Sequence, residues 1–292
     1  MESPTYLHAG KVINSRYRLI TPIGSGTLAQ VYLADDIRVR KQTIVKVFDA
    51  PFRSGNEVED DFQISLQDLA RTSHPNLIKI LDWGSGEISY IVTEYLAGGD
   101  LRAMLQQDAS LSVAQITLIM MEILKGTSFL HERGKVHGGL KPENVIFSLN
   151  GDLKLSDTGI GSVSAKYFSS ELFTEGPYVS PELSQGGLLS PAADVYAIAA
   201  IFKELIHTKL PESKNTGEAQ EIDSELLEEL EAVFASALSA KASERPTASA
   251  LLKITSEVNI KNAKPALLPV QNSLNLNSVS YTHLTLPTIA IV

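Results

Sequence analysis

The first third of the chain is dominated by short apolar runs that predict a β-sheet. Five runs are rich in β-branched and aromatic residues, which favour an extended backbone. They lie at 17–20, 30–34, 43–48, 77–83 and 89–95. Between the third and fourth runs, Phe62, Leu66 and Leu69 recur at the spacing of one helix face, so residues 57–72 are predicted to be helical.

From about residue 97 the apolar positions change to helical spacing. Ser112 and Gln115 form a capping-box sequence at the start of a long apolar stripe. Residues 191–206 are apolar on nearly all sides, which predicts a helix buried in a core. Residues 224–238 carry leucines on one face and glutamates on the other. The pattern therefore predicts a small β-rich lobe with one main helix, followed by a larger, mainly helical lobe.

Composition and charge exclude several classes of protein. With 43% hydrophobic and 20% charged residues, the 292-residue chain is neither collagen-like nor wholly disordered. It has no cysteine, which excludes disulfides, thiolate nucleophiles and cysteine-based zinc sites. The net charge of −9 argues against nucleic acid or anionic lipid as a partner. The segment 1–10 lacks the features of a signal peptide, and the apolar stretch 195–202 is far shorter than the roughly 20 residues of a membrane helix. We expect a cytoplasmic protein with no membrane segment in this chain.

Three features suggest phosphate chemistry, although each has a simpler interpretation. Gly24 and Gly26 separate the first two predicted strands, where they could admit phosphate oxygens to the backbone or merely form a turn. Lys46 lies inside an apolar strand and either extends to water or points into a cleft towards an anion. Asn144 and Asp157 offer hard oxygen ligands that suit Mg²⁺, but such residues near turns are more often capping residues.

In this order, the segments resemble the protein kinase family of the bacterial Ser/Thr type. The resemblance covers about residues 16–255. Its main blocks are Arg16-Tyr-Arg-Leu-Ile, Glu94-Tyr-Leu-x-Gly-Gly-Asp-Leu, Leu140-Lys-Pro-Glu-Asn144, Asp157-x-Gly159, Ser180-Pro-Glu182, Asp194-Val-Tyr and Glu244-Arg-Pro-Thr.

The resemblance implies an α+β, two-lobed protein kinase fold over residues 17–258. The small N-lobe would span 17–96 and the larger C-lobe 97–258. An N-terminal extension, 1–16, would precede the domain, and a disordered linker or tail, 259–292, would follow it. The last part of that tail, 281–292, looks like translated adapter sequence and is interpreted as a sequence artefact.

The same resemblance implies roles for individual residues. Lys141 would steady the transferring phosphate, and Asn144 and Asp157 would bind Mg²⁺. The residues implied to contact ATP are Gly24, Gly26, Val31, Ile44, Lys46, Thr93, Glu94, Leu96 and Ile146. The residues implied to brace the helical lobe are Glu182, Asp194 and Arg245.

The catalytic loop departs from the kinase pattern. Gly139 stands where the family has its general-base aspartate, and glycine cannot accept a proton. Loss of a general base typically costs about 10²–10⁴-fold in rate. Gly138 replaces the arginine that would bind a phosphorylated activation loop, so we expect that mode of regulation to be absent.

The N-lobe departs from the pattern as well. Ser65 occupies the position of the helix glutamate that should pair with Lys46, and Asp61 or Asp68, one turn to either side, could substitute for it. Three further departures are Ala29 for the third loop glycine, Ile44 for the small residue that packs on adenine, and Glu175 for a threonine that contacts the catalytic aspartate.

Three functional hypotheses follow from this pattern. The leading one is a pseudokinase that binds ATP and Mg²⁺ weakly and serves a scaffolding or regulatory role with an unidentified protein partner. The second is a low-activity bacterial Ser/Thr protein kinase, since phosphoryl transfer has a loose transition state. The third is a kinase-fold transferase with different chemistry, which no residue specifically supports.

Overall fold

The computed structural model describes residues 7–25, 29–48, 57–85, 88–158, 176–210 and 218–261. Within these ranges the predicted division into a β-rich N-terminal lobe and a helical C-terminal lobe is confirmed. The change from strands to helices falls between Glu94 and Leu101.

In its described part, the N-terminal lobe has one antiparallel sheet and a single helix, α1 (Glu57–Ala70), between the fourth and fifth strands. The strands follow the order β1-β2-β3-β4-β6-β5. They are β1 (Val12–Ile13), β2 (Tyr17–Ser25), β3 (Ala29–Asp36), β4 (Lys41–Phe48), β5 (Ile80–Gly84) and β6 (Ser89–Glu94).

The sheet begins before residue 17, where the domain was predicted to start. Val12 pairs with Arg18 and Ile13 with Tyr17, and the Ile13 side chain is buried in the core of the lobe. Part of the predicted extension 1–16 is therefore a sheet strand. Two residues are too few for the apolar alternation that reveals a strand in the sequence.

The two faces of the sheet carry different apolar clusters, because successive side chains of a strand point to opposite faces. One face carries the core of the lobe, which includes Tyr32, Val45 and Val47. The other face carries a smaller apolar cluster that includes Val31 and Ile44. Lys46 alternates with Val45 and Val47, so it lies on the same face as Ile44.

The C-terminal lobe consists of six helices and one β-hairpin within the described residues. The hairpin is β7 (Val145–Phe147) with β8 (Leu153–Leu155). The helices are α2 (Leu101–Leu105), α3 (Val113–His131), α4 (Pro181–Ser184), α5 (Pro191–Lys209), α6 (Glu218–Ala235) and α7 (Ala248–Lys261). Short 3₁₀ turns occur at Pro142–Asn144, Ser236–Leu238 and Ala242–Glu244.

Helix α3 lies at the centre of the C-terminal lobe. Its capping box is formed as predicted, with Ser112 Oγ accepting from the Gln115 amide at 3.2 Å and Gln115 Oε1 accepting from the Ser112 amide at 3.0 Å. By length and composition alone α3 could cross a membrane, but 61% of its apolar window is buried in the protein against helices such as α5 and α7. Helix α7 continues to Lys261, past the predicted domain end at 258.

The β7–β8 hairpin is hydrogen-bonded to chain segments on both sides of the lobe boundary. The Leu155 amide donates to the Asn76 carbonyl at 2.8 Å, and the Phe147 amide donates to the Gly99 carbonyl at 2.8 Å. At Gly98 a Cβ would lie 2.5 Å from the Ser148 carbonyl oxygen, so this close approach requires glycine. These contacts fix the hairpin, and with it the residues that flank its open end, at the junction of the lobes.

Candidate functional site

Asn144 and Asp157 lie close together because they flank the paired ends of the β7–β8 hairpin. Val145 pairs with Leu155, and the Ser156 amide donates to the Asn144 carbonyl at 2.9 Å. Asp157 has a φ of 61°, a left-handed conformation that is uncommon for residues other than glycine. Such a conformation persists only where the surrounding structure determines it, and it is more frequent at functional sites.

The Asp157 carboxylate meets the Lys46 ammonium group across the cleft between the lobes. Lys46 Nζ forms an ion pair with Asp157 Oδ1, and the Lys46 side chain is almost fully buried. Burial, and secondarily the positive charge of Lys141, lower the pKa of Lys46 to about 7. The Asp157 carboxylate acts in the opposite direction, because it stabilises the charged ammonium group. The phosphate-binding lysine and a metal-binding acid proposed from the sequence are therefore in contact.

Lys141 adds a second positive charge at this point. It precedes the 3₁₀ turn Pro142–Asn144, and burial is the main cause that lowers its pKa. The two lysines are close enough for the charge of Lys141 to lower the pKa of Lys46. The positive charge of each ammonium group disfavours the charged form of the other. An anion between the two lysines would be stabilised by both. A polyphosphate has the charge that this arrangement would accept.

The donor set at the open end of the hairpin fits Mg²⁺. The Asn144 amide oxygen and the Asp157 carboxylate are the hard oxygen ligands that this ion prefers. Among the described residues, no group of three or more His, Cys, Asp or Glu could hold a metal ion without further ligands. Phosphate oxygens and water would have to complete the coordination, as is usual for Mg²⁺ bound with a nucleotide.

The catalytic-loop backbone is held by one buried acid. Asp194 accepts hydrogen bonds from the amides of His137 and Gly138 at 2.8 and 2.9 Å, and it contacts His131 Nε2 at 2.9 Å. Gly138 has a φ of 74°, so a side chain there would be strained. Gly138, which stands where the kinase family has an arginine, therefore lies in a backbone conformation that favours glycine.

Gly139 has space for a side chain but offers no proton acceptor. Its carbonyl accepts from Asn144 Nδ2 at 2.7 Å, which ties the middle of the loop to the candidate metal ligand. A Cβ added at Gly139 would have Asn144 Nδ2 as its nearest neighbour, at an ordinary 3.8 Å. The loop is thus ordered around a position that contributes only backbone groups.

Apolar residues form the part of the cleft next to the sheet. Val31 and Ile44 pack with Ile23 and Tyr95 on the cleft face, and Ile146 is buried on β7. Thr93, Glu94 and Leu96 lie at or just after the end of β6. The Glu94 side chain is engaged outside the cleft, since it accepts from Lys154 Nζ at 2.7 Å and from the Lys79 amide at 2.8 Å. Gly24 pairs with Val31 in the sheet, whereas Gly26 lies outside the described residues.

Helix α1 does not provide Asp68 as a partner for Lys46. The Asp68 carboxylate instead forms an ion pair with Lys135, just before the catalytic loop. The suggestion that Asp68 replaces the helix glutamate is therefore wrong: the side chain points to the C-terminal lobe rather than into the cleft. The side chains of Ser65 and Asp61, and all of Glu175, lie outside the described part of the structure.

A bidentate ion pair joins helix α4 to the segment before α7. Arg245 Nη1 and Nη2 donate to the two carboxylate oxygens of Glu182, both at 2.7 Å, and Arg245 Nη1 also donates to the Ala192 carbonyl at 2.9 Å. The Arg245 side chain is fully buried. Burial by itself would raise the pKa of Glu182, but the hydrogen bonds from Arg245 hold it below its ordinary value.

Two features of this region were missed in the sequence. Arg102 on α2 contacts Glu143, Glu204 and Tyr178, and so joins three separate segments of the C-terminal lobe. No local pattern distinguishes Arg102 from a solvent-exposed helix residue. Thr158 is the unspecified middle residue of the motif Asp157-x-Gly159, and its hydroxyl oxygen is buried without a hydrogen-bond partner among the described residues.

Comparisons with known proteins agree with this arrangement. The family model described as "Protein kinase domain" matches residues 17–261. Serine/threonine-protein kinase PrkC of Bacillus subtilis is 30% identical over 206 residues, which are 69% of this chain and 32% of that protein. A probable serine/threonine-protein kinase PknB of Lactococcus lactis is 33% identical over 210 residues, 70% of this chain and 34% of that protein. The chain spans about a third of the length of these relatives.

A solved structure shows the same fold. The PknI kinase domain of Mycobacterium tuberculosis superposes with a TM-score of 0.64 over 87% of this chain and 100% of that one, at 23% identity. The predicted two-lobed kinase fold is thereby confirmed. The roles of individual residues are not transferred by a likeness at this level of identity, and they rest on the geometry above.

Proposed function

Since this chain belongs to the protein kinase domain family, among relatives of the bacterial serine/threonine type, we propose that it is a pseudokinase. It would bind Mg·ATP weakly and act as a scaffolding or regulatory module, with little or no phosphoryl transfer. Its net charge of −9 argues against nucleic acid or anionic lipid as a partner, and an unidentified protein partner and a cytoplasmic location are parts of the same proposal.

The observation that carries this proposal is the empty side-chain position at Gly139. The loop around it is held by Asp194 and Asn144, so the missing base is not compensated by a displaced segment of this loop. In the kinase mechanism an aspartate of this loop accepts the proton of the substrate hydroxyl. Without that acceptor the hydroxyl would attack in its protonated form, and the rate would fall by about 10²–10⁴-fold.

Nucleotide binding is supported by the charged groups that remain. Lys46 and Lys141 would attract the phosphates, and Asn144 and Asp157 would hold the Mg²⁺ that neutralises them. Binding has to separate the ion pair between Lys46 and Asp157, so that each group can meet its own partner. Ile44 is already packed against its neighbours and limits the space for adenine. Both features favour weak binding.

A specific observation favours low catalytic activity as the alternative. Lys141 and Asn144 stand in one short segment next to Asp157, and phosphoryl transfer depends mostly on positioning and charge neutralisation. A site that positions Mg·ATP correctly could therefore transfer its phosphate slowly without a base.

A thermal unfolding titration of the full chain with ATP and Mg²⁺ tests the binding proposal. At 100 times its Kd a ligand stabilises a folded protein by about 2.7 kcal/mol, a readily measured shift in Tm. We expect a Mg²⁺-dependent shift that is lost in Asp157→Ala and retained in Asp35→Ala, which removes a partly exposed carboxylate on β3. Absence of any shift at millimolar Mg·ATP would contradict nucleotide binding.

A phosphoryl-transfer assay on the same proteins separates the two candidates. We expect no phosphate incorporation into the chain itself or into a generic substrate. Clear turnover that disappears in Lys46→Met would contradict the pseudokinase proposal and favour the low-activity kinase.

A further inference from the structure

A turn at one end of the N-terminal sheet exposes aliphatic and basic side chains together. It comprises residues 37–41, which connect β3 to β4, and we call it the basic turn. Ile37 and Val39 are 42% and 55% exposed, although both are aliphatic. The turn also exposes three basic side chains, those of Arg38, Arg40 and Lys41. A single exposed aliphatic residue needs no explanation, but two of them among three cations form a combined apolar and charged surface.

The shape of the basic turn is fixed from beneath by Asp36. This buried carboxylate accepts from the Arg38 amide at 3.0 Å and from the Val39 amide at 3.4 Å. It also accepts from Arg16 Nη2 at 2.7 Å, and the Ile37 amide donates to the Arg16 carbonyl at 3.0 Å. Because the turn is already ordered, a partner that binds it loses little conformational entropy in doing so.

The positive charges of the basic turn are not neutralised within the described part of the chain. The two acids that precede the turn are engaged by other residues: Asp36 pairs with Arg16, and Asp35 with Arg18. No acidic side chain among the described residues forms an ion pair with a basic residue of the turn. The turn is therefore a local positive surface in a chain whose net charge is −9.

This combination fits an acidic protein segment better than a broad anionic surface. Screening limits interactions between exposed charges to about 10 Å at 0.1 M salt, so a segment on the turn would be attracted mainly by its three cations. A membrane or a nucleic acid would also face the remainder of the chain, whose acidic surface would repel it. Aliphatic side chains of the segment would cover Ile37 and Val39 and remove them from water.

We propose that the basic turn docks an acidic segment of a protein partner that also carries aliphatic residues. Carboxylates of the segment pair with the three cations of the turn, and its aliphatic side chains pack on Ile37 and Val39. This inference names the chemistry of the protein partner in the proposed function and rests on that function. No residue of the turn belongs to the candidate nucleotide site.

Fluorescence anisotropy of the full chain, without nucleotide, tests the docking with two labelled peptides. In the first, glutamate and valine alternate over about ten residues, the length of a long strand. In the second, serine replaces every valine, so the charge is kept. We expect saturable binding of the valine peptide, and binding of the serine peptide that is weaker by about tenfold, a loss of about 1.4 kcal/mol. Equal binding of both peptides, or no binding of either, would overturn the proposal.

Reversal of two charges tests the cations of the turn. Arg38→Glu combined with Lys41→Glu should weaken the valine peptide by more than about tenfold, because attraction becomes repulsion. Lys241→Glu combined with Lys253→Glu is the matched control, since both lysines are exposed in the C-terminal lobe and the net charge changes equally. Equal weakening in the two variants would mean that only the net charge matters and would overturn the assignment to the turn.

A single substitution tests the apolar part of the surface. Val39→Ser should weaken the valine peptide by about threefold or more and leave the serine peptide unchanged, because only the first peptide has apolar side chains to bury. Ile254→Ser, a change of an exposed aliphatic residue on α7, is the control and should leave both affinities unchanged. An unchanged affinity in Val39→Ser would exclude the proposed apolar contact.

Two further measurements distinguish other occupants of the turn. Binding to phosphatidylserine vesicles that is lost when Arg38 and Lys41 are reversed would assign the turn to a lipid surface and overturn the proposal. An oligomer in sedimentation velocity that dissociates in the same variant would assign it to a second copy of the chain, with the same consequence. We expect neither. Failure of docking would leave the Mg·ATP-dependent Tm shift and the phosphoryl-transfer result unchanged, so it is distinguishable from failure of the proposed function.

Discussion

The contacts beneath the catalytic loop and the groups that the loop presents to the cleft differ in how much of the kinase pattern they retain. Beneath the loop, Asp194 accepts hydrogen bonds from two successive amides, and Arg245 and Glu182 form a bidentate pair. At the cleft, Gly139 has no side chain, and Lys46 is paired with Asp157. The hydrogen bonds to the loop backbone and to Arg245 are made, whereas the groups for chemistry are only partly present.

The physical reason for this difference is that the loop is held by its backbone. The amides of His137 and Gly138 and the carbonyl of Gly139 make the contacts to Asp194 and Asn144. Backbone groups are the same in every residue except proline. Replacing an aspartate by glycine at position 139 therefore removes the proton acceptor without removing these hydrogen bonds. Loss of catalysis and retention of the fold are compatible in this architecture.

The largest expected effect on stability tests the contacts that support the catalytic loop. Arg245→Ala should lower the free energy of unfolding by about 3–5 kcal/mol, because it leaves Glu182 without its bidentate partner. Urea unfolding followed by circular dichroism measures the change. Lys241→Ala is the control, since this residue is exposed and forms a surface ion pair with Glu244, so its loss should cost less than about 1 kcal/mol. Equal effects of the two changes would mean that the Glu182–Arg245 pair is not a principal support.

A comparable effect, confined to a pH range, is expected at Asp100, which links the segment after β6 to the N-terminus of α2. Burial, opposed by the hydrogen bond from the Ala103 amide, raises its pKa from 3.8 to about 7. The folded state then holds this proton more tightly than the unfolded chain. The carboxyl group therefore favours folding below about pH 4, and this contribution is lost as the pH rises through about 7.

Asp100→Asn tests this pH dependence, because asparagine is also a good helix N-cap. It should remove the downward slope in stability that Asp100 contributes between pH 4 and 7, a difference of about 4 kcal/mol, because each pKa unit corresponds to about 1.4 kcal/mol. Urea unfolding of both proteins at several pH values gives the difference directly. Parallel pH profiles would contradict the raised pKa.

The smallest effect on stability is expected at the catalytic position itself. Gly139→Asp should change the free energy of unfolding by less than about 0.5 kcal/mol, because the new Cβ meets only Asn144 Nδ2 at 3.8 Å. Gly98→Ala is the contrasting control and should cost about 1–3 kcal/mol, since its Cβ would lie 2.5 Å from a carbonyl oxygen. A large loss in Gly139→Asp would show that the loop does depend on glycine there.

The activity of Gly139→Asp tests whether the groups at the cleft other than position 139 are competent for phosphoryl transfer. We expect little phosphoryl transfer from this variant, because the departures at Ser65 and Glu175 remain. A radiolabel assay with Lys46→Met as the inactive reference measures it. Strong activity would mean that the rest of the cleft is competent and that position 139 alone had been lost.

The sequence by itself determined the fold class, the order of the two lobes and most long elements. It did so because apolar periodicity and cap residues are local: Ser112 and Gln115 begin α3 in the structure as they do in the sequence. The motif spacing also assigned Lys46, Asn144 and Asp157 to one candidate site, and in the structure Lys46 contacts Asp157. The two-residue strand Val12–Ile13 was not visible, since its pairing with β2 is a contact between segments rather than a local pattern.

Only the tertiary structure decided which charged and polar groups meet. Asp68 and Lys46 are both placed near the cleft by the sequence, yet Asp68 pairs with Lys135 and Lys46 with Asp157. Side-chain partners arise from how separate segments pack in space, and no local sequence pattern encodes that packing.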